Sequence, residues 1–304
     1  MKKRFVKIIS LILAVSVIFG SAAVMSSAAM DGYVLSVADA RKVLRDAVGL
    51  EKLSDADRKI ADMDFDSEIS VADARTVLRL AVQLDIIDGK TYENEYEMLS
   101  GGQYTATLAY TADNEAGVRE THTFKLAVTP YSFKMDVGDL MSMFEKDFGG
   151  SDSGLDQMFE MFKISAILFT GGKISLIDDE NKQSLTVSEK EFGGDFSDVK
   201  NIMTEVIPDL HPSLSGASSK KSVTLDGREC TVYVFDETAE NGARYTTNVY
   251  MNGKKLVKID YADKSGEVFS SVVFEALSRV VNVSDTNVKS YDDTSMADLG
   301  GLFG

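Results

Sequence analysis

Tryptophan is absent from this sequence, and cysteine, histidine and proline are scarce, with one, two and three copies. A lone cysteine excludes an internal disulfide framework. Cys230 falls in an alternating apolar stretch and reads as a small buried hydrophobe rather than a reactive thiol. His122 lies within a strand pattern and His211 in a PDLHP turn, so neither belongs to a Cys/His pair. No G-x-S-x-G or H-E-x-x-H motif occurs. Basic residues are also few, 32 Lys and Arg against 48 Asp and Glu, for a formal charge of −16. That balance opposes binding to nucleic acid or to an anionic membrane, both of which need a basic surface. Without Trp, the usual platform for a sugar ring is missing, and carboxylates this abundant do not single out a catalytic pair.

What is present begins with a leader. Lys2, Lys3, Arg4 and Lys7 precede an apolar run from Ile8 to Phe19 and then small residues. This is the order of a secretory signal peptide, and the run is too short for a confident membrane span. Residues 1–29 are assigned to it, with Ser27-Ala28-Ala29 as the cleavage site and Ser21-Ala22-Ala23 as the alternative. The expected location is extracellular, with no membrane span after cleavage.

The most informative stretch is DMDFDSEISVAD, Asp62 to Asp73. Asp62, Asp64, Asp66 and Asp73 occupy its first, third, fifth and twelfth positions, Ser70 the ninth, and Glu68 the seventh, where a backbone carbonyl serves. Calcium takes about six to eight oxygens, and alternate residues of a tight loop followed by a helix supply them. The sixth position, which favours a left-handed residue, is Ser67 instead of Gly, a cost of about 1 kcal/mol. The helix that follows is used twice. SVADARKVLRDAVGLE (36–51) and SVADARTVLRLAVQLD (70–85) agree at 12 of 16 positions, 34 residues apart. Val37, Ala40, Val43, Leu44, Ala47 and Val48 form one apolar stripe, and Val71, Ala74, Val77, Leu78, Ala81 and Val82 its copy, so the two helices are expected to pack with approximate twofold symmetry. Between them Leu53–Ala61, opened by Ser54, reads as a short bridging helix. Counting back from Asp39 puts Ala28, Met30 and Gly32 where the first loop needs carboxylates, so one calcium site is expected, not two.

Two loop-helix repeats with a bridge and a D-x-D-x-D…S-x-x-D loop resemble a type I dockerin over residues 30–88. The resemblance implies a cohesin module of a scaffold or cell-surface protein as partner, as in cellulosomes that serve polysaccharide catabolism. By the family's pattern the partner contacts would be Val71, Ala72 and Arg79, or the equivalent Val37, Ala38 and Arg45. The better known version carries Ser-Thr where this chain has Val-Ala. Core packing is the competing reading of Val37 and Val71.

Beyond Tyr92–Ser100, a linker or opening helix, the apolar period changes to two. Eleven alternating or apolar runs between Tyr104 and Glu275 read as strands, with Asp226-Gly227 and Asn252-Gly253 as hairpin turns. Two helical stretches interrupt them, Val137–Phe162 and Phe196–Ile207. The first concentrates Met and Phe. Met141, Phe144, Met158, Phe159 and Phe162 either line a cavity for an apolar small molecule or lipid, or cover the open face of the sheet. The element order from about 98 to 292 resembles, on topology alone, the LolA-like lipoprotein-carrier fold, an incomplete barrel around a hydrophobic cavity.

The sequence therefore predicts an α+β chain in three parts: a signal peptide (1–29), a small helical calcium-binding module (30–91), and a large antiparallel sheet in a half-open barrel with helices on one face (92–304). The function expected is non-catalytic docking plus binding of a hydrophobic ligand or partner. A cellulosome-associated glycoside hydrolase is the alternative.

Overall fold

The computed structural model describes residues 35–113, 117–136, 163–188, 210–238 and 242–295. The predicted leader and both predicted helical insertions, 137–162 and 196–207, lie outside these residues.

The repeat folds as two near-identical helices, α1 (Val37–Ala47) and α3 (Val71–Ala81). Each begins with a reciprocal cap. The Ser36 hydroxyl accepts from the Asp39 N–H while the Asp39 carboxylate accepts from the Ser36 N–H, and Ser70 and Asp73 repeat the pair. Such a cap contributes about 1 kcal/mol. Each helix ends in a left-handed residue, Gly49 at φ 74° and Gln83 at φ 60°. The N–H groups that follow close back on the last turn, Leu50 to the Arg45 carbonyl and Leu84 to that of Arg79. The bridge is α2 (Asp55–Ala61), capped by Ser54.

Packing is narrower than the apolar stripes suggest. Ala40, Val43, Ala61, Met63, Ala74 and Val77 form the buried seam between the helices. Val37, Leu44 and Val48, with their copies Val71, Leu78 and Val82, remain in solvent. Two short helices crossing once bury one narrow strip each, and a six-residue stripe is wider than that.

The stretch 92–100 is an opening helix, not a linker. Asn94 caps α4 (Glu95–Gly101), and Tyr96, Met98 and Leu99 are fully buried. The strands then follow in two antiparallel meanders. The first is β2 (Tyr104–Asp113), β3 (Arg119–Thr129), β4 (Ser132–Asp136), β5 (Ala166–Thr170), β6 (Lys173–Asp178) and β7 (Gln183–Ser188). The second is β8 (Ser219–Leu225), β9 (Arg228–Thr238), β10 (Arg244–Asn252), β11 (Lys255–Asp263) and β12 (Val268–Ser278). β12 pairs with β2 and fuses them, and β14 (Asp292–Ser295) adds in parallel to β7, giving a twelve-stranded sheet. Among the described residues its edges are β8 and β14, and no pairing between them closes a barrel. All eleven predicted strands are present. A two-stranded ladder of β1 (Asp85–Ile86) and β13 (Val281–Asn282), together with β14, was not predicted, because runs of two to four residues have no readable period.

One face of the sheet carries a continuous apolar core. Alternation along β2 turns Tyr104, Ala106, Leu108 and Tyr110 inward, where they meet Phe124, Leu126, Phe235, Val249, Ile259 and Val272, with Tyr96 and Leu99 of α4 over them. The hairpin at Asn252-Gly253 is shifted by one residue from the sequence expectation. Asn252 pairs with Lys255, so the turn residues are Gly253, at φ 58°, and Lys254. A register shift between Tyr250 and Met251 accompanies it.

Candidate metal centre and docking face

The loop from Asp62 to Asp73 connects α2 to α3. Its backbone turns sharply because Phe65 and Ser67 are left-handed, at φ 57° and 71°. Ser67 thus adopts the conformation its position requires without being glycine. Carboxylates hold the turn from inside. Asp62 Oδ2 accepts the Ser67 N–H at 3.1 Å, Asp64 Oδ1 that of Asp66 at 3.2 Å, and Asp66 Oδ1 that of Glu68 at 2.8 Å. As a result one oxygen from each of Asp62, Asp64 and Asp66 lies within 4.8 Å of the others.

Three like charges this close repel unless a cation joins them. Burial first, and then the neighbouring carboxylates, push the Asp62 and Asp64 carboxyls above the ordinary range. Asp62 is buried, and its Oδ1 has no hydrogen-bond partner. A buried carboxylate with one orphaned oxygen, clustered with two more carboxylates, fits a hard divalent cation.

The other expected ligands sit around this trio in supporting roles. Asp73 is buried; its Oδ1 accepts the Met63 N–H at 2.8 Å and its Oδ2 the Ser70 N–H and hydroxyl, both at 2.8 Å. The twelfth residue therefore ties the loop entrance to the start of α3. Ser70 is its cap partner, and Glu68 lies in the loop with its N–H bound to Asp66.

The loop is also fastened to the sheet, which the sequence did not suggest. Phe65, at the fourth position, is buried and belongs to the large core beside the sheet. Lys254, at the tip of the β10–β11 turn, places Nζ 3.7 Å from Asp62 Oδ2. Glu95, the first residue of α4, accepts the Leu256 N–H at 2.7 Å, and its own N–H donates to the Lys254 carbonyl at 3.0 Å. Burial pushes the Glu95 carboxyl up to about 7, against the pull of Leu256 N–H and Lys255. These residues carry no local pattern that marks them, since the contact joins positions about 190 residues apart in the chain.

The proposed partner-contact residues are distributed on a solvent face. Val37 and Val71 are 57 % and 58 % exposed, Leu44 and Leu78 both 42 %, and Val48 and Val82 53 % and 50 %. The repeat thus presents the same apolar face twice, and the core-packing reading of Val37 and Val71 fails. Ala38 and Ala72 are exposed beside them. The arginines are already engaged within the chain. Arg79 grips the buried Asp85 with two hydrogen bonds, 2.6 and 2.7 Å, and Arg45 reaches the exposed Glu51 at 2.8 Å. Val71, Ala72 and Arg79 line a groove of about 770 Å³ whose far wall is Thr105, Val280 and Asn282 of the sheet region.

Met141, Phe144, Met158, Phe159 and Phe162, the expected cavity lining, lie outside the described residues. Cys230 is buried, as its sequence context implied. His211 stacks on Phe235 at 4.5 Å and places Nε2 3.2 Å from Glu237, and His122 sits in β3 with Nε2 3.8 Å from Glu120.

No protein-family profile and no curated protein matches the sequence. Solved structures give low-scoring superpositions. An uncharacterized conserved protein from Thermus thermophilus is 8 % identical, with 63 % of this chain and 89 % of that one covered and a TM-score of 0.28. The Pseudomonas aeruginosa MucA/MucB complex gives 12 % identity and a TM-score of 0.27, with 61 % of this chain covered and about half, 53 %, of the other. A putative outer membrane lipoprotein-sorting protein domain from Vibrio parahaemolyticus gives 11 %, 58 % and 84 % coverage, and 0.24.

Proposed function

We propose that the chain is an exported, non-catalytic docking protein: a calcium-stabilised pair of repeated helices seats it on a protein partner, and the large sheet is what it presents. The observation that carries this reading is the doubled apolar face, Val37, Leu44 and Val48 with Val71, Leu78 and Val82, held in solvent beside a loop built for a cation. Exposed apolar residues set at matching positions on two helices are a recognition surface, since solvent-facing helix positions have no internal reason to be apolar. The dockerin resemblance supplies the partner class, a cohesin module. One calcium would be held by Asp62, Asp64 and Asp66 with Asp73, Ser70 and the Glu68 carbonyl, and its chemistry there is structural. Because the second repeat's face opens into a groove walled by the sheet, a globular partner has freer access to Val37 and Ala38 on the first.

For the sheet we propose a carrier-type half-open barrel whose concave side takes a hydrophobic ligand. No helix among the described residues is long and apolar enough to cross a membrane.

The test is capture of cohesin modules by the whole mature chain, with calcium and with chelator. Leu44→Glu with Leu78→Glu is the informative variant. Arg79→Glu is not, because it strands the buried Asp85 and would unfold the helix end. Binding that needs calcium and is lost in the double variant supports the reading. Binding indifferent to both overturns it.

A further inference from the structure

The cation loop and the β10–β11 turn are held in fixed register by three contacts. Phe65 anchors the loop in the core, while the Glu95 carboxylate and N–H clamp the turn on either side of Lys255, at Leu256 and at Lys254. Between the two clamped backbones, Lys254 extends its amine to 3.7 Å from Asp62 Oδ2, the carboxylate whose other oxygen is buried without a partner. Lys255 adds a second positive charge close enough to act on Asp64. Lys254 is 40 % exposed, so its amine has a free path to water on a flexible stem.

We propose that Lys254 is a tethered counter-ion of the calcium site: it occupies the field of the loop carboxylates when the metal is away, and an entering ion displaces it. The proposal rests on the calcium reading of the loop. Its consequence is that the affinity of the helical module for calcium is set by a residue of the sheet. An ammonium group near a ligand carboxylate opposes a divalent ion in two ways, by pairing with the carboxylate and by direct repulsion of the ion. At the boundary of protein and water, charges separated by about 4–6 Å interact strongly enough, after screening, for about a tenfold effect on affinity.

The experiment is calorimetric titration of the full mature chain with calcium chloride, comparing the wild type with Lys254→Gln, Lys254→Arg and Lys264→Gln. Lys264 is an exposed lysine on the β11–β12 turn and controls for net charge. Lys254→Gln should bind calcium about tenfold more tightly, while the other two stay within about threefold of wild type. Thermal melts give a second readout with a sign change. In chelator Lys254→Gln should melt at or below the wild type, and in saturating calcium above it. Unchanged or weaker affinity in Lys254→Gln, or equal tightening in Lys264→Gln, would overturn the proposal while leaving the calcium site standing. Binding seen only in Lys254→Gln would support it outright. No binding in any of the four proteins would remove the calcium reading and this inference with it.

Discussion

Phe65 offers the sharpest test of how the helical module and the sheet are joined. It stands in the middle of the cation loop, yet it is 5 % exposed and packs in the sheet's core with residues of α4 and the strands. Truncating a buried phenylalanine to alanine costs about 3–5 kcal/mol, the lost transfer energy plus the cavity left behind. Phe65 is also left-handed at φ 57°, a conformation alanine tolerates no better. Phe65→Gly relieves that strain, about 1 kcal/mol, while loosening the unfolded chain by a similar amount, so it should match Phe65→Ala to within about 1 kcal/mol. Urea unfolding followed by circular dichroism measures both. The wild type should unfold in one transition. In the variants the helical module should melt ahead of the sheet, since the side chain that couples them is gone. A loss below about 0.5 kcal/mol, the range of ordinary surface changes, would refute the docked loop.

Glu95 predicts a pH dependence. Its carboxyl titrates near 7 in the folded protein, above the ordinary 4.5, so the folded state holds the proton that the unfolded state releases. Stability from this residue is therefore complete below about pH 4.5 and falls by about 3 kcal/mol as the pH rises to 7 and beyond. Glu95→Gln should equal the wild type at pH 4.5 and exceed it at pH 8 in denaturant titrations; a loss at pH 8 would show that the carboxylate is needed charged. Ser70→Ala removes the cap of α3 and should cost about 1 kcal/mol, and Ser36→Ala the same from α1. For the ligand reading, native mass spectrometry of the chain from residue 30 onward should find a co-purified lipid or apolar molecule, and a fluorescent fatty acid should be displaceable. Sugar release from polysaccharide by the same preparation would favour the hydrolase reading instead.

Local chemistry was legible in the sequence and long-range contact was not. The Ser54 cap of the bridge, the duplicated helix, the carboxylate spacing and the period-two strands each depend on residues within a few positions of one another. The width of the buried helix seam was misjudged because a stripe shows which side chains are apolar, not how many of them a single crossing covers. The hairpin at Asn252 was read one residue early, and that register decides that Lys254 stands at the tip. Once it does, Asp62, Glu95 and Lys254 meet, a site assembled from three separate segments with no pattern in any one of them. Arg79 illustrates the converse. Its equivalence to Arg45 is plain in the repeat, but only the fold reveals that Asp85, buried beside β13, already holds it.

The central claim is a single calcium held by the loop from Asp62 to Asp73. Calorimetry of the chain from residue 30 onward should give one calcium per molecule, abolished by Asp62→Ala with Asp73→Ala, and the melting temperature should rise with calcium above the dissociation constant. Two calcium ions per chain, or none, would contradict it.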